Sequence, residues 1–284
     1  MLTSVGRSWF VRGMAKATSE IGRKGWGERQ GSISLRLLYE DIEPYQDLLV
    51  AGQRLPIGNK IPGVGGQYYL FSASDNSLGM QLPPEESQCL LRVSPEGDSF
   101  KTLWGEPKRI TLSHLSSHLR TQDLRQQATL GANRVMLRCD PANLSLLASL
   151  LELSPAVVTR ALWEMSPECL KSCPDGVGVM PAASPESDAI GAAAANSMRR
   201  HRLAIWPAHG IFAAGTTLDE AIMLVATAEI AAEILVKVLS NGGPKQFVKN
   251  HQLRSLAEGH HVIPFAPALE LDAWFAASNG SIEG

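Results

Sequence analysis

The segment IWPAHGIFAAG, residues 205–215, sets His209 and Gly210 between two apolar runs. A strand can carry such an imidazole to a pocket wall, where the neutral ring serves as a base or a metal ligand and the glycine lets backbone approach closely. A lone histidine beside glycine is more often structural, so this signal is weak alone. Cys169 and Cys173 stand four residues apart, which would place two thiols on one helical face, but Pro174 follows at once and such pairs more often pack than hold metal. His114 and His118 repeat that spacing in HLSSH, without the glutamate that completes a metalloprotease helix.

The elements that must position these groups alternate along the chain. Trp9, Phe10, Gly13, Met14 and Ala17 recur at helical spacing, which predicts an amphipathic opening helix over 8–26. Gly25 and Gly27 break it, and SISLRL, Ser32 to Leu37, alternates polar with apolar as a half-buried strand does. Short apolar runs at Tyr68–Phe71, Cys89–Val93, Arg134–Leu137, Leu203–Trp206 and Ile211–Ala213 predict the remaining strands of a central sheet. Helices are expected near 114–129, 142–152 and 155–165, with a long one opening at Thr217, where Thr217 and Glu220 form a capping-box pattern and Glu233 precedes Lys237 by four. Asn241, Gly242, Gly243 and Pro244 stop that helix. Strands and helices mix throughout, which predicts one α/β domain over residues 1–272, with 273–284 a flexible polar tail.

Six segments occur together and in a fixed order: SWFVRGMAKAT, DIEPYQD, ALWEMSPECL, CPDGVGVMP, IWPAHG and TLDE. In that order the chain resembles the class II aldolases, and among them the rhamnulose-1-phosphate aldolase family, over about residues 8–270 and most closely from 155 to 240. The resemblance implies an α/β fold with a central, mostly antiparallel sheet flanked by helices. It also implies a homotetramer with active sites between subunits, a zinc ion held by histidines, and a sugar phosphate as substrate. The family reaction is the reversible retro-aldol cleavage of L-rhamnulose 1-phosphate to dihydroxyacetone phosphate and lactaldehyde. There zinc polarises the substrate oxygens and stabilises the enediolate.

Carried over residue by residue, the match is partial. His209 corresponds to one zinc ligand. The other two belong to a His-x-His pair on a strand, and here the corresponding run RVMLRCDPANL reads Arg138-Cys139-Asp140. Asp140 can donate oxygen to a metal, whereas Arg138 is a permanent cation that cannot ligate and repels a divalent ion. The family's base, a glutamate in a Ser-Glu-Leu context, corresponds to His114 in Ser113-His114-Leu115; His118, one turn on, is set aside. Glu168 in SPECL matches a carboxylate lent across the subunit interface. The turns that face the phosphate correspond to Gln30-Gly31-Ser32 and to Ser72-Ala73-Ser74-Asp75, where an acid replaces a lysine. Gly31, Ser32, Ser72, Ser74 and Ser113 are the remaining candidates for phosphate contact. Three readings stay open: a remodelled zinc site of His114, Asp140 and His209; a metal-free enzyme in which Arg138 supplies charge and His114 or Glu168 moves protons; and a catalytically silent subunit that binds or regulates.

Composition fits an enzyme-sized body. In 284 residues, 44% are hydrophobic and 19% charged, ample for a core. A net charge of −2 offers no broad attraction for nucleic acid or an anionic membrane. The start of the chain lacks the apolar core of a signal peptide. The most apolar stretch, 217–238, carries Asp219, Glu220, Glu229, Glu233 and Lys237, so it is not a membrane span, and a cytoplasmic location is expected. Cys89, Cys139, Cys169 and Cys173 lack the spacing of a disulfide framework and are expected to be reduced.

Overall fold

The computed structural model describes residues 4–27, 31–74, 83–105, 112–151, 154–181, 188–207 and 209–271, with the side chains of 73, 74, 112–114 and 188–192 outside that description. Nine strands form one sheet: β1 (Gly31–Leu37), β2 (Arg54–Pro56), β3 (Tyr68–Ser74), β4 (Gln88–Val93), β5 (Ser99–Gly105), β6 (Val135–Cys139), β7 (Val177–Val179), β8 (Leu203–Trp206) and β9 (Gly210–Gly215). Their spatial order is β2-β5-β4-β3-β1-β6-β9-β8-β7, and every pairing is antiparallel except β7 with β8.

The helices are α1 (Trp9–Arg23), α2 (Tyr39–Ile42), α3 (Pro84–Ser87), α4 (Leu112–Thr129), α5 (Ala142–Leu150) and α6 (Pro155–Met165), then α7 (Pro167–Ser172), α8 (Asp188–Arg200), α9 (Leu218–Ser240), α10 (Asn250–Gly259) and α11 (Ala266–Glu270). They cover both faces of the sheet. On one face α1, α5, α6 and α9 pack Met14, Leu144, Trp163 and Val225 against Ile33, Leu35, Val135 and Leu137. On the other, Leu115 and Leu119 of α4 meet Tyr69, Phe71 and Leu91, while Ala194 and Met198 of α8 meet Met136, Trp206 and Phe212. Because strand side chains alternate, β6 sends Val135, Leu137 and Cys139 to the first layer and Met136 to the second.

This two-sided cover changes one expectation. The alternation in SISLRL predicts a strand with a wet polar face, yet Ser32 and Ser34 are buried, because α4 lies over that face and supplies polar partners instead of water. The predicted box on α9 is half formed. Thr217 accepts from the Glu220 N–H at 3.1 Å, but the Glu220 carboxylate turns to the Thr216 N–H at 2.7 Å and to Arg202 Nη1 at 2.9 Å. Arg202, which also meets Asp175 at 3.3 Å, thereby ties β8 to α9 and to the turn before β7. The Glu233–Lys237 pair forms at 2.5 Å. The tail at 273–284 lies outside the described residues.

Candidate active site

Arg138, Asp140 and His209 come together where β6 and β8 end and β9 begins. Arg138, the fourth residue of β6, is in register with Ser32 of β1 and Phe212 of β9, so all three side chains rise from the same face. It is 3% exposed. Its guanidinium stacks 4.8 Å from the Trp206 ring and 5.7 Å from the Phe212 ring, close enough for cation–π attraction. Burial draws the Arg138 pKa down to about 10 against the opposing pull of Asp140, which leaves the group charged at neutral pH.

His209 lies in the tight turn between β8 and β9, not on a strand as its apolar flanks predict. Its N–H donates to the Trp206 carbonyl at 3.0 Å and its ring sits 4.5 Å from the Trp206 ring. Trp206 is therefore shared by Arg138 and His209. Gly210 follows with φ +92°, and a Cβ there would stand 2.3 Å from the Cys139 carbonyl oxygen, so only glycine lets this turn close on the end of β6. That approach brings the His209 turn to Asp140, whose Cα is 3.2 Å from the same point. Asp140 N–H donates to the Trp26 carbonyl at 2.8 Å, and Ser145 Oγ donates to Asp140 Oδ1 at 2.6 Å.

Beside Arg138, His118 is fully buried under the sheet. Its Nε2 lies 2.8 Å from Ser32 Oγ and its Nδ1 2.9 Å from Ser34 Oγ, while Phe71 packs edge-on at 5.1 Å. Gln122, one turn further on α4, donates to the Arg134 carbonyl at 2.9 Å. His118, Trp206 and Phe212 escape sequence reasoning because buried polar and aromatic residues there read as surface and core. The usable signal was the four-residue histidine spacing on α4 opposite the serines of SISL, which become complementary only once α4 is known to cover β1.

The other candidates divide. Ser32 shares the Arg138 face, but Ser72 is on β3 with the opposite alternation, donating to the Ser87 carbonyl at 3.1 Å. Gly31 and Ser74 pair directly across β1 and β3. Gly31 and Ser32 open β1, Ser72 and Ser74 close β3, and the hydroxyls of Ser32 and Ser72 point to opposite faces. Asp75 lies outside the described residues, while Ser113 and His114 fall in the first turn of α4 with side chains outside the description. Glu168 is exposed in the first turn of α7, which packs on α6, α9 and α10 in the layer across the sheet from the Arg138 face.

These residues do not fit the family's three-histidine zinc. Among the described residues no three His, Cys, Asp or Glu side chains are grouped to hold a metal ion, and at this end of the sheet the Arg138 guanidinium stacks on Trp206. Cys169 and Cys173 are buried, and burial raises both thiol pKa values, Cys169 to about 12. No helix among the described residues is long and apolar enough to cross a membrane.

Comparison with known proteins bears on the whole chain. The model of the class II aldolase and adducin N-terminal domain matches residues 141–236. The rhamnulose-1-phosphate aldolase of Yersinia pestis strain Pestoides F is 42% identical over 267 residues, covering 93% of this chain and 97% of the relative. That of Yersinia pseudotuberculosis strain PB1/+ matches to the same extent. A sugar-phosphate aldolase from Thermotoga maritima superposes with a TM-score of 0.70 at 25% identity, over 82% of this chain and 96% of its own. An L-fuculose 1-phosphate aldolase shares the fold, with a TM-score of 0.60 at 17% identity over 92% and 98% of the two chains. The chain belongs to the class II aldolase family, as a rhamnulose-1-phosphate aldolase-like member.

Proposed function

We propose that this chain is a rhamnulose-1-phosphate aldolase-like subunit of a homotetramer that binds a phosphorylated ketose or related small molecule, and that it has given up zinc-dependent cleavage at the family's rate. The observation that carries this reading is Arg138. A permanent, buried cation stacked on Trp206 occupies the position that corresponds to a zinc ligand, and its charge opposes a divalent ion beside it. A guanidinium lacks the compact double charge that stabilises an enediolate, so cleavage is expected to fall by about 10²-fold or more. The chain's sugar-phosphate ligand and its place in rhamnose metabolism rest on its relatives.

A second reading is favoured by one specific feature: the turn that carries His209 closes on Asp140 at the end of β6. With His114 they would make a mixed zinc set of two imidazoles and a carboxylate. Metal content of protein purified without chelator separates the two, with His209→Ala as the control and cleavage of L-rhamnulose 1-phosphate assayed in parallel. Substoichiometric zinc and negligible lactaldehyde are expected. One zinc per subunit that disappears in the control would overturn the proposal and establish the remodelled site.

A further inference from the structure

At the far edge of the sheet a row of like charges runs across three strands. Arg54 of β2 is directly opposite Lys101 of β5, and Lys101 is directly opposite Arg92 of β4. Paired residues in antiparallel strands project to the same face, and like charges so placed repel each other. All three side chains line one cleft of about 450 Å³, within the range of small-molecule sites.

The acids nearby do not neutralise the row evenly. Arg54 is held by Asp98 at 3.0 Å and by Glu96 at 3.8 Å. Asp98 also accepts from Ser94 and Ser99, and these hydrogen bonds with that from Arg54 draw its pKa to about 2. Arg92 and Lys101 have no carboxylate within 4.0 Å among the described residues; Arg92 instead lies over the Tyr68 ring at 5.2 Å. Two exposed cations thus face one cleft, whose lining sets the apolar Ala51, Pro95 and Leu103 beside the polar Ser94, Ser99 and Glu96.

We infer that this cleft binds a small organic phosphate monoester, with Arg92 and Lys101 on the phosphate dianion and the apolar wall against its organic part. Two cations match two negative charges, and a ligand there relieves the repulsion along the row. A cleft of this size suits a metabolite rather than an extended acidic chain. The site is distinct from the β6–β9 end. Three strand spacings separate β4 from β6, about 14 Å, and Arg92 pairs with Tyr68 at the opposite end of β3 from Ser72. The inference is therefore independent of whether zinc is bound.

Calorimetric titration of the full chain with phenyl phosphate and with inorganic phosphate tests it. Saturable binding is expected, tighter for phenyl phosphate. Arg92→Gln and Lys101→Gln should each weaken it about tenfold or more, the loss of a hydrogen bond to a charged group, and the double variant should abolish it. Glu96→Gln should tighten it by removing an opposing charge. The double variant relieves the repulsion between Arg92 and Lys101 and loses the contact of Arg92 with the Tyr68 ring, two small opposing effects, so a melting temperature near the parent's is expected and a thermal melt separates lost binding from unfolding. No saturation at millimolar phenyl phosphate, preference for inorganic phosphate, or binding indifferent to the double variant would each overturn the assignment.

Discussion

Arg138 and Asp140 can be exchanged for the residues their positions imply. In the triple variant Arg138→His, Asp140→His, His114→Glu, two imidazoles join His209, which remains pinned to the end of β6 by Gly210. Stoichiometric zinc by mass spectrometry is the expected outcome; a folded protein that stays zinc-free would refute the correspondence of these positions. Arg138 alone also bears on stability. Cutting it to alanine removes a stacked, buried side chain from beside Trp206 and Phe212 and leaves a void, so a loss of about 2–4 kcal/mol is expected in urea unfolding. The cysteines make a converse prediction. Cys89, Cys139, Cys169 and Cys173 are all buried, and desolvation raises every thiol pKa above its ordinary value. At pH 8 the native protein should therefore react negligibly with a thiol-specific disulfide reagent and release four equivalents only when unfolded. Fast labelling of native Cys169 or Cys173 would show that this layer opens.

Among the elements, α5 depends on a residue that the sequence presents in another light. Its N-cap is Pro141, which has no side chain to satisfy the first-turn amides. Glu229, reaching over from α9, accepts from the Asn143 N–H at 2.9 Å, from Asn143 Nδ2 at 2.8 Å and from the Leu144 N–H at 2.9 Å. A carboxylate at a helix N-terminus gains both hydrogen bonds and dipole energy. Glu229→Leu should cost about 2–4 kcal/mol by stranding two amide donors, and Glu229→Gln less, because its carbonyl still accepts. Equal losses would rule out a capping role. In the sequence Glu229 only breaks an apolar run, since a cap supplied by a helix over eighty residues away has no local signature. Local signals served better elsewhere. The helical spacing of Trp9 to Ala17 and the Thr217 cap located α1 and α9, and short apolar runs located β3, β4, β6, β8 and β9. The three-residue strands β2 and β7 carry too few residues for a period to register. The partners of Ser32 and Ser34 were hidden because alternation reports which residues differ from their neighbours, not whether water or a second helix meets the polar ones.

For the whole molecule, the position of Glu168 matters most. It is exposed on α7, and the sheet lies between that helix and the face bearing Arg138, Trp206 and Phe212. If Glu168 assists chemistry at the β6–β9 end, as the family resemblance implies, it does so in a neighbouring subunit. Native mass should accordingly correspond to four chains. Complementation then tests the donation itself. In the zinc-binding triple variant, adding Glu168→Gln should lower the turnover of L-rhamnulose 1-phosphate without releasing zinc. On the proposed loss of zinc-dependent cleavage the unmodified chain adds little turnover of its own, but it carries Glu168, so it can lend that carboxylate to a repaired site next to it. Refolding the Glu168-deficient repaired chains with unmodified chains should recover part of the lost turnover. Recovery requires that one subunit hold the metal and another the carboxylate. If mixed oligomers verified by native mass gain nothing over the repaired chains alone, Glu168 acts within its own chain or not at all, and the intersubunit site is wrong.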